Sequence, residues 1–367
     1  MSLFFRDDGV SHGAKWLPVL LVFGSILAVA YADYVAVTIS LGYLYVLPLG
    51  ISAMFLRRRI SYGLIAVCVF LHDFFGPPYV DWRARLVHNL TAFFAFAFVV
   101  YFIQRYVSQR EGLAREIRDQ RDALLKDVQL AAQVQRMFLP VNQPSIAGLD
   151  IAGMMQPARG VGGDYYDFIP INAHTIQLVV ADVAGKGVPA ALLMSATAAA
   201  MQLESNQVRD ILQIITRLNS GIHSVSDGVR YVTLLLAEID AAARTLRYVN
   251  CGHNPGVLLR GRTGEIVLLE STCPPVGMFA QDICQLNRLS IESGDILVLY
   301  TDGVTEAENR VEEEFGMERL RRVIKENAAL SASEIMQALL RASADFSRDV
   351  GFSDDVTIVL AKCAFAE

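Results

Sequence analysis

Charged residues are scarce in this sequence. Only 19% of its 367 residues are Asp, Glu, Lys or Arg, and the mean hydropathy is +0.36. Residues 16–32 and 35–56 contain no charged residue. At 1.5 Å per residue, helices of these lengths approach or reach the ~30 Å of a hydrocarbon core. This pattern excludes a wholly soluble protein.

The sequence also lacks a surplus of basic residues. Residues 141–367 carry 18 Lys and Arg against 28 Asp and Glu. An acidic region of this kind does not favour the phosphate contacts that nucleic-acid binding requires, so we expect no nucleic-acid partner. The five cysteines show no CxxC spacing and are odd in number, which argues against a zinc site and predicts buried, reduced thiols.

The first 103 residues predict a transmembrane sensor region of four spans, at about 16–32, 35–56, 60–75 and 86–103. Lys15 precedes the first span, Arg57–Arg59 close the second, and Arg105 follows the fourth. The positive-inside rule places these groups in the cytoplasm, which predicts a multi-pass inner-membrane protein. Near the outer ends of the third and fourth spans lie four polar residues that could form a sensing pocket: His72, Asp73, His88 and Asn89.

Residues 104–140 predict one long helix that ends at Pro140. Apolar or small residues and two glutamines recur along it in steps of three and four, with one stutter; the positions are Leu113, Ile117, Gln120, Leu124, Val128, Ala131, Gln135 and Phe138. Such a seam is typical of a coiled coil and predicts a homodimer through this linker. The alternative is a connecting helix packed on its own domain.

Residues 141–367 change from helical to strand periodicity. We predict strands at 176–181, 231–239, 246–250, 256–259, 265–269, 295–300 and 356–361, and helices at 189–204, 208–224, 317–327 and 333–347. Because strands follow one another without strict alternation with helices, mostly antiparallel sheets covered by helices are favoured.

Aspartates stand at the ends of the predicted strands. Asp182 and Asp302 each follow a buried strand, Asp164 follows two glycines, and Asp354 with Asp355 precedes the last strand. Buried carboxylates require a cation or hydrogen bonds. Hard oxygen ligands without His or Cys clusters suit Mg²⁺ or Mn²⁺.

Five ordered motifs resemble the stage II sporulation protein E (SpoIIE) type phosphatases of the metal-dependent PPM superfamily. They are GGDYYDF at 162–168, ADVAGKGVPAA at 181–191, CGHNP at 251–255, YTDGVTE at 300–306 and DDVT at 354–357. The resemblance covers roughly residues 130–363. It implies an α+β fold, an α-β-β-α sandwich, with two Mn²⁺ or Mg²⁺ ions and hydrolysis of phosphoserine or phosphothreonine on a protein.

The resemblance also implies residue roles. Asp182 would bridge both metal ions, the carbonyl of Val183 and the carboxylate of Asp164 would serve one ion, and Asp302 and Asp354 the other, with Asp355 as the alternative to Asp354. Arg159 lies where some relatives have a phosphate-binding arginine. Relatives with a histidine soon after the bridging aspartate have a general acid that is missing here, so Lys186, His253 and metal-bound water remain open for that role.

These observations predict a membrane-anchored protein phosphatase in three parts: a sensor region (1–103), a signalling linker (104–140) and a catalytic domain (141–367) in the cytoplasm. The resemblance implies a phosphorylated anti-sigma-factor antagonist as substrate in partner-switching signalling. Two alternatives are a catalytically silent membrane scaffold that binds such a phosphoprotein, and a phosphatase of small molecules or lipids.

Overall fold

The protein was analysed as a computed structural model that describes residues 16–36, 41–75, 81–158, 160–226, 229–280, 283–348 and 350–365. The chain divides into two compact units, Met1–Ala123 and Leu124–Glu367. The division falls inside the predicted linker helix.

The N-terminal unit is helical. Its elements are α1 (Trp16–Val35), a 3₁₀ helix (Gly42–Tyr45), α2 (Val46–Phe55), α3 (Arg58–Phe75) and the first part of α4 (Trp82–Arg136). Apolar side chains from all of them form one buried cluster that includes Val22, Leu49, Ile65 and Val100.

Two described helices, α1 and α4, are long and apolar enough to cross a membrane, and the apolar helical segment Gly42–Phe55 is shorter. This segment occupies most of the second predicted span, part of which lies outside the described residues. The third predicted span corresponds to α3, whose first turn contains Arg58 and Arg59. The count of four spans stays a prediction.

The fourth predicted span and the linker form a single helix. α4 runs for 55 residues from Trp82 to Arg136 and contains no proline and one glycine, Gly112. It ends four residues before Pro140, as the sequence predicts.

The C-terminal unit contains two five-stranded antiparallel sheets. The strands are β1 (Leu149–Gln156), β2 (Tyr165–Pro170), β3 (Thr175–Val183), β4 (Val232–Asp240), β5 (Thr245–Cys251), β6 (Gly256–Leu259), β7 (Ile266–Leu269), β8 (Asn287–Ser290), β9 (Ile296–Tyr300) and β10 (Val356–Cys363). Their orders are β1-β10-β9-β6-β7 and β2-β3-β4-β5-β8. Side chains from both sheets, such as Leu178 and Val359, meet in a shared core.

Helices cover the outer faces of both sheets. They are α5 (Val188–Gln207), α6 (Ile211–Val225), α7 (Asp302–Thr305), α8 (Gly316–Glu326) and α9 (Ala332–Phe346). Met194 and Ile215 of α5 and α6 pack on the β3 side, whereas Leu320 and Leu339 of α8 and α9 pack on the β9 side. The predicted antiparallel sheets covered by helices are therefore confirmed.

Three strands and one helix were not predicted. β1 contains Gly153, where an added Cβ would lie 2.6 Å from the Phe168 ring, so this strand carries a glycine where close packing requires one. β8 is largely exposed, which removes its hydrophobic signal. β2 lies inside the GGDYYDF motif, and α7 is a single turn.

The prediction that all cysteines are reduced thiols is wrong for one pair. Cys273 and Cys284 are joined in a disulfide, while Cys68, Cys251 and Cys363 are free and buried. The loop between β7 and β8 brings the two Cα atoms to 4.5 Å across 11 residues. Such a spacing has no local signature in the sequence.

Candidate active site

Four chain segments bring their aspartates to one end of the sandwich. Asp182 is the penultimate residue of β3, Asp302 follows β9, and Asp164 precedes β2. Asp354 and Asp355 precede β10. β2 pairs antiparallel with β3, and β10 with β9, so the beginning of one strand lies beside the end of its neighbour. This register gathers carboxylates that are far apart in sequence.

Asp164 links the two sheets from a buried position. Its Oδ2 accepts hydrogen bonds from Thr301 Oγ1 at 2.7 Å and from Thr357 Oγ1 at 2.5 Å. Burial first, and then the charge of Asp182, hold the pKa of Asp164 well above its ordinary value, although the two hydroxyl bonds act in the opposite direction. A nearby cation would therefore stabilise the ionised form.

Burial and neighbouring carboxylates raise the pKa of both Asp182 and Asp302. Burial, followed by the charges of Asp302, Asp354 and Asp355, raises the pKa of Asp182 to about 7. Burial and then the charge of Asp354 raise the pKa of Asp302, while the Gly303 N–H and the charge of Lys186 act against this. Mutual repulsion among these carboxylates marks the cleft as a cation site.

The adjacent aspartates 354 and 355 have different surroundings. Asp355 is buried, and its two carboxylate oxygens accept backbone hydrogen bonds from Ala158 N at 2.8 Å and Gly163 N at 2.7 Å. Asp354 is more exposed, and its Oδ2 lies 2.6 Å from Lys186 Nζ. Asp355 therefore holds a loop in place, whereas Asp354 contacts the half-exposed ammonium group of Lys186.

Two glycines allow the close approach of these segments. A Cβ at Gly163 would lie 3.2 Å from Asp182 Oδ1 and 3.3 Å from the Val183 carbonyl oxygen. A Cβ at Gly303 would lie 2.0 Å from the Asp355 carbonyl oxygen. Position 303 therefore accepts no side chain without movement of the backbone.

The candidates for proton transfer are placed differently. Lys186, half-exposed, lines the cleft with Asp182 and Asp354. His253 is buried; its Nε2 donates to the Tyr300 carbonyl at 3.1 Å, and its Nδ1 lies 2.9 Å from Thr233 Oγ1. Burial lowers the pKa of His253 to about 4, so this ring is neutral. Arg159 lies outside the described residues.

The donor chemistry fits hard divalent cations. Across the described parts of the chain, no three acidic, histidine or cysteine side chains already surround one point as a bound ion requires. The pKa values of Asp164, Asp182 and Asp302 are nevertheless raised by burial and by the charges of neighbouring aspartates. Oxygen ligands with this unrelieved repulsion match the preference of Mg²⁺ and Mn²⁺.

Gln135, a predicted seam residue of the linker helix, lies against the Asp164 loop in the structure. Its Nε2 donates to the Gly162 carbonyl at 2.6 Å, and its Oε1 accepts from Gly162 N at 3.1 Å. On the same helix, Val128 and Ala132 pack against Val161. The end of α4 therefore contacts the loop that carries Asp164. The sequence signal for Gln135 is its place on the predicted coiled-coil seam, which favours a dimer contact.

Two antiparallel sheets between helical layers, with carboxylates gathered at one end, define the PP2C-type metal-dependent protein phosphatases. The "SiaA-PP2C domain of Pseudomonas aeruginosa" has this fold: its TM-score is 0.59 at 21% identity, over 67% of this chain and 99% of that one. Residues 172–364, more than half of the chain, match the family "Stage II sporulation protein E (SpoIIE)". The chain belongs to this family of serine/threonine protein phosphatases, which are hydrolases.

Two relatives show the extent of the similarity. "Phosphoserine phosphatase RsbU" of Bacillus subtilis (strain 168) is 30% identical over 254 residues, which are 68% of this chain and 72% of the relative. "Protein IcfG" of Synechocystis sp. is 28% identical over 276 residues, 67% of this chain. The match spans 43% of that longer protein.

Proposed function

We propose that this protein is a membrane-anchored, divalent-metal-dependent phosphatase that removes phosphate from serine or threonine of a partner protein. The observation that carries the proposal is that Asp164, Asp182, Asp302 and Asp354 lie at one end of the sandwich, where burial and neighbouring carboxylate charges raise the pKa of the first three. The relative RsbU is named a phosphoserine phosphatase, which supports a phosphoprotein substrate. A phosphorylated anti-sigma-factor antagonist in a partner-switching pathway is the substrate we propose.

Each carboxylate in this proposal has a role in holding two Mn²⁺ or Mg²⁺ ions. Asp182 would contribute to both sites, Asp164 and the carbonyl of Val183 to one, and Asp302 and Asp354 to the other. When bound, the ions supply the positive charge that activates water and neutralises the phosphoryl oxygens. We assign Asp354 as the ligand because both oxygens of Asp355 already accept backbone hydrogen bonds.

We propose that Lys186 is the general acid that protonates the leaving seryl oxygen. Its ammonium group lines the cleft and is paired with Asp354 on one side. From this position the ammonium group would donate a proton to the seryl oxygen as it departs. His253 is unsuitable because both ring nitrogens are engaged within the fold and the ring is neutral. For Arg159 we propose contact with the substrate phosphate.

Control by the membrane region is the second part of the proposal. Residues 1–103 form the sensor, 104–140 the linker and 141–367 the cytoplasmic catalytic domain. α4 belongs to both the sensor and the linker as one continuous helix, and its last turn contacts the Asp164 loop through Gln135. A rotation or shift of this helix would therefore act on a metal-binding segment.

A homodimer through the linker is the third part. The seam residues Leu113, Ile117 and Leu124 are 57–64% exposed. Farther along the seam, Val128 and Gln135 contact the catalytic unit instead. The two interpretations of the seam therefore apply to different parts of it: the first part is left for a second copy, and the last part packs on its own domain.

The test is release of inorganic phosphate from a phosphoserine protein by the full chain with Mn²⁺ or Mg²⁺. We expect turnover in the wild type and its loss in Asp302→Asn. Asp345→Asn is the matched control, since Asp345 is an exposed aspartate paired with Arg348. A wild type that binds the phosphoprotein but is inert with every divalent cation would indicate the scaffold. Turnover of lipid headgroup phosphates alone would indicate a lipid phosphatase.

A further inference from the structure

Three titratable side chains from three helices meet inside the N-terminal unit. His72 of α3 has its Nδ1 3.4 Å from Asp33 Oδ2 of α1 and its Nε2 2.7 Å from His88 Nε2 of α4. Asp33 and His72 are 2% and 5% exposed. They form a hydrogen-bonded chain, Asp33–His72–His88, in which both nitrogens of the central imidazole are used.

The 3₁₀ helix packs directly on this chain. A Cβ at Gly42 would lie 2.0 Å from His72 Nδ1, so this position has no room for a side chain. Leu41 N donates to Asp33 Oδ1 at 2.7 Å. Tyr45 is fully buried with its ring 6.5 Å from His72, and its hydroxyl has no hydrogen-bond partner among the described residues. The cluster therefore contains a buried polar group whose hydrogen bonding is incomplete.

Other charged groups lie at the same end of α3 and α4. Asp73 is paired with Arg85 and also accepts from Asn89 Nδ2 at 2.8 Å. Among the described residues, the titratable and charged groups around the chain therefore include Asp33, Tyr45, Cys68, Asp73, Arg85 and the two histidines. Asp73 is paired with Arg85, whereas Asp33 is the acid in hydrogen-bond contact with His72.

The number of protons on the chain is limited by its geometry. Two imidazole nitrogens 2.7 Å apart share one proton, because two lone pairs or two N–H groups would repel each other. When Asp33 accepts from His72 Nδ1, His72 Nε2 accepts from His88. One added proton gives an imidazolium at His88 and balances the charge of Asp33. A second added proton places N–H against N–H and forces the two rings apart.

We propose that Asp33, His72 and His88 form a proton-binding site whose double protonation separates α3 from α4. The inference rests on the proposed membrane sensor, since it names what that sensor detects. The three residues lie toward the ends of their helices away from Arg57–Arg59, so the proposed topology places them on the outer side. External acidity is then the stimulus, and α4 is the element that responds.

A transition metal is the competing occupant. A carboxylate behind a histidine is a common arrangement at metal sites. However, only two nitrogens face each other here, and the described residues include no group of three potential metal ligands. A separation of 2.7 Å between the nitrogens suits a shared proton.

The experiment uses the full chain in proteoliposomes, with the pH on the face opposite the catalytic domain varied and the catalytic side held constant. Spin labels at exposed Phe74 of α3 and Val87 of α4 report the distance between these helices, and phosphate release reports activity. We expect both readouts to change between about pH 8 and 5, where histidine titrates. Both responses should be lost in His72→Gln and in His88→Gln.

His174→Gln, at an exposed loop of the catalytic unit, is the control and should keep both responses. An invariant helix distance in the wild type would overturn the proposal, as would a normal response in His88→Gln. Stoichiometric Zn²⁺ binding at neutral pH that is lost in both histidine variants would replace the proton by a metal. A distance response in a chain without phosphatase activity would retain the proton site and reject the proposed function.

Discussion

The acids at the two candidate sites of the molecule are compensated in opposite ways. In the N-terminal unit, Asp33 lies beside His72, and Asp73 is paired with Arg85. In the C-terminal unit, Asp182 lies among other carboxylates whose charges raise its pKa. The difference lies in the source of the positive charge. An acid beside a cationic side chain is neutralised by the chain itself, whereas an acid surrounded by other acids requires a cation from solution.

The largest expected effect on activity comes from removing the carboxylate of Asp182, which lies among other carboxylates. Asp182→Asn should lower phosphate release by on the order of 10²-fold or more, since it removes a carboxylate proposed to hold both ions. The same change should raise the thermal transition of the metal-free catalytic unit, because it relieves repulsion. Calorimetry and phosphate release on one preparation check both effects. A less active and also less stable variant would contradict the comparison.

Next in size is the contact between α4 and the Asp164 loop. Gln135→Leu leaves the N–H and carbonyl of Gly162 without their side-chain partner, at a cost of about 1–3 kcal/mol. We expect roughly a tenfold rise in the Mn²⁺ concentration required for half-maximal turnover. Gln133→Leu is the control because Gln133 lies two residues earlier on the same helix and is exposed. Equal Mn²⁺ requirements in the two variants would show that the contact does not position the loop.

The pH dependence of stability tests whether the clustered carboxylates repel one another. The folded-state pKa of Asp182 is raised to about 7, above its ordinary value of ~3.9. Between these values the folded state binds more protons, so metal-free stability should fall as the pH rises from about 4 to 7. We expect the thermal transition of the catalytic unit to fall by several degrees.

With saturating Mn²⁺ this trend should reverse, because the cation binds the ionised carboxylates. Asp182→Asn should flatten the metal-free profile. A wild-type profile that is identical with and without Mn²⁺ would show that the cleft does not take up the ion.

The smallest effect on catalysis is expected from the linker seam. Leu124→Glu places a charge at an exposed seam position and should convert a dimer to a monomer in detergent, with basal turnover changed by less than about twofold. Light scattering measures the mass, and Gln129→Glu off the seam is the control. A monomeric wild type would remove the dimer from the proposal.

Much of the catalytic fold follows from local sequence signals. β3 and β10 have apolar, β-branched runs that predict strands, and the Ser331 and Glu334 capping box marks the start of α9 as expected. β1 was missed because Gly153 interrupts its pattern to make room for the Phe168 ring. A requirement imposed by the opposite sheet has no local signature.

In the candidate site, too, some residues have a local sequence signal and others are defined only by tertiary contacts. Asp164, Asp182, Asp302 and Asp354 were identified because each stands beside a glycine or at a strand end. The hydroxyls of Thr301 and Thr357 were missed, since their role depends on Asp164 lying between the sheets. Asp33 stands between the first two predicted spans, a position that predicts a turn. Its contact with His72 spans 39 positions and arises from helix packing.

Two backbone hydrogen bonds hold the carboxylate of Asp355. Replacement of aspartate by asparagine therefore has different consequences at positions 354 and 355. An asparagine at 355 has one oxygen and one NH₂ group, so it would set a donor against the N–H of either Ala158 or Gly163. At 354 an asparagine can keep its oxygen toward the N–H of Asp355, while its NH₂ group would face the half-exposed Lys186 ammonium, which has room to turn into solvent. Although the two acids are neighbours in sequence, the first can change within the existing fold, whereas the second can change only if the loop around it changes too.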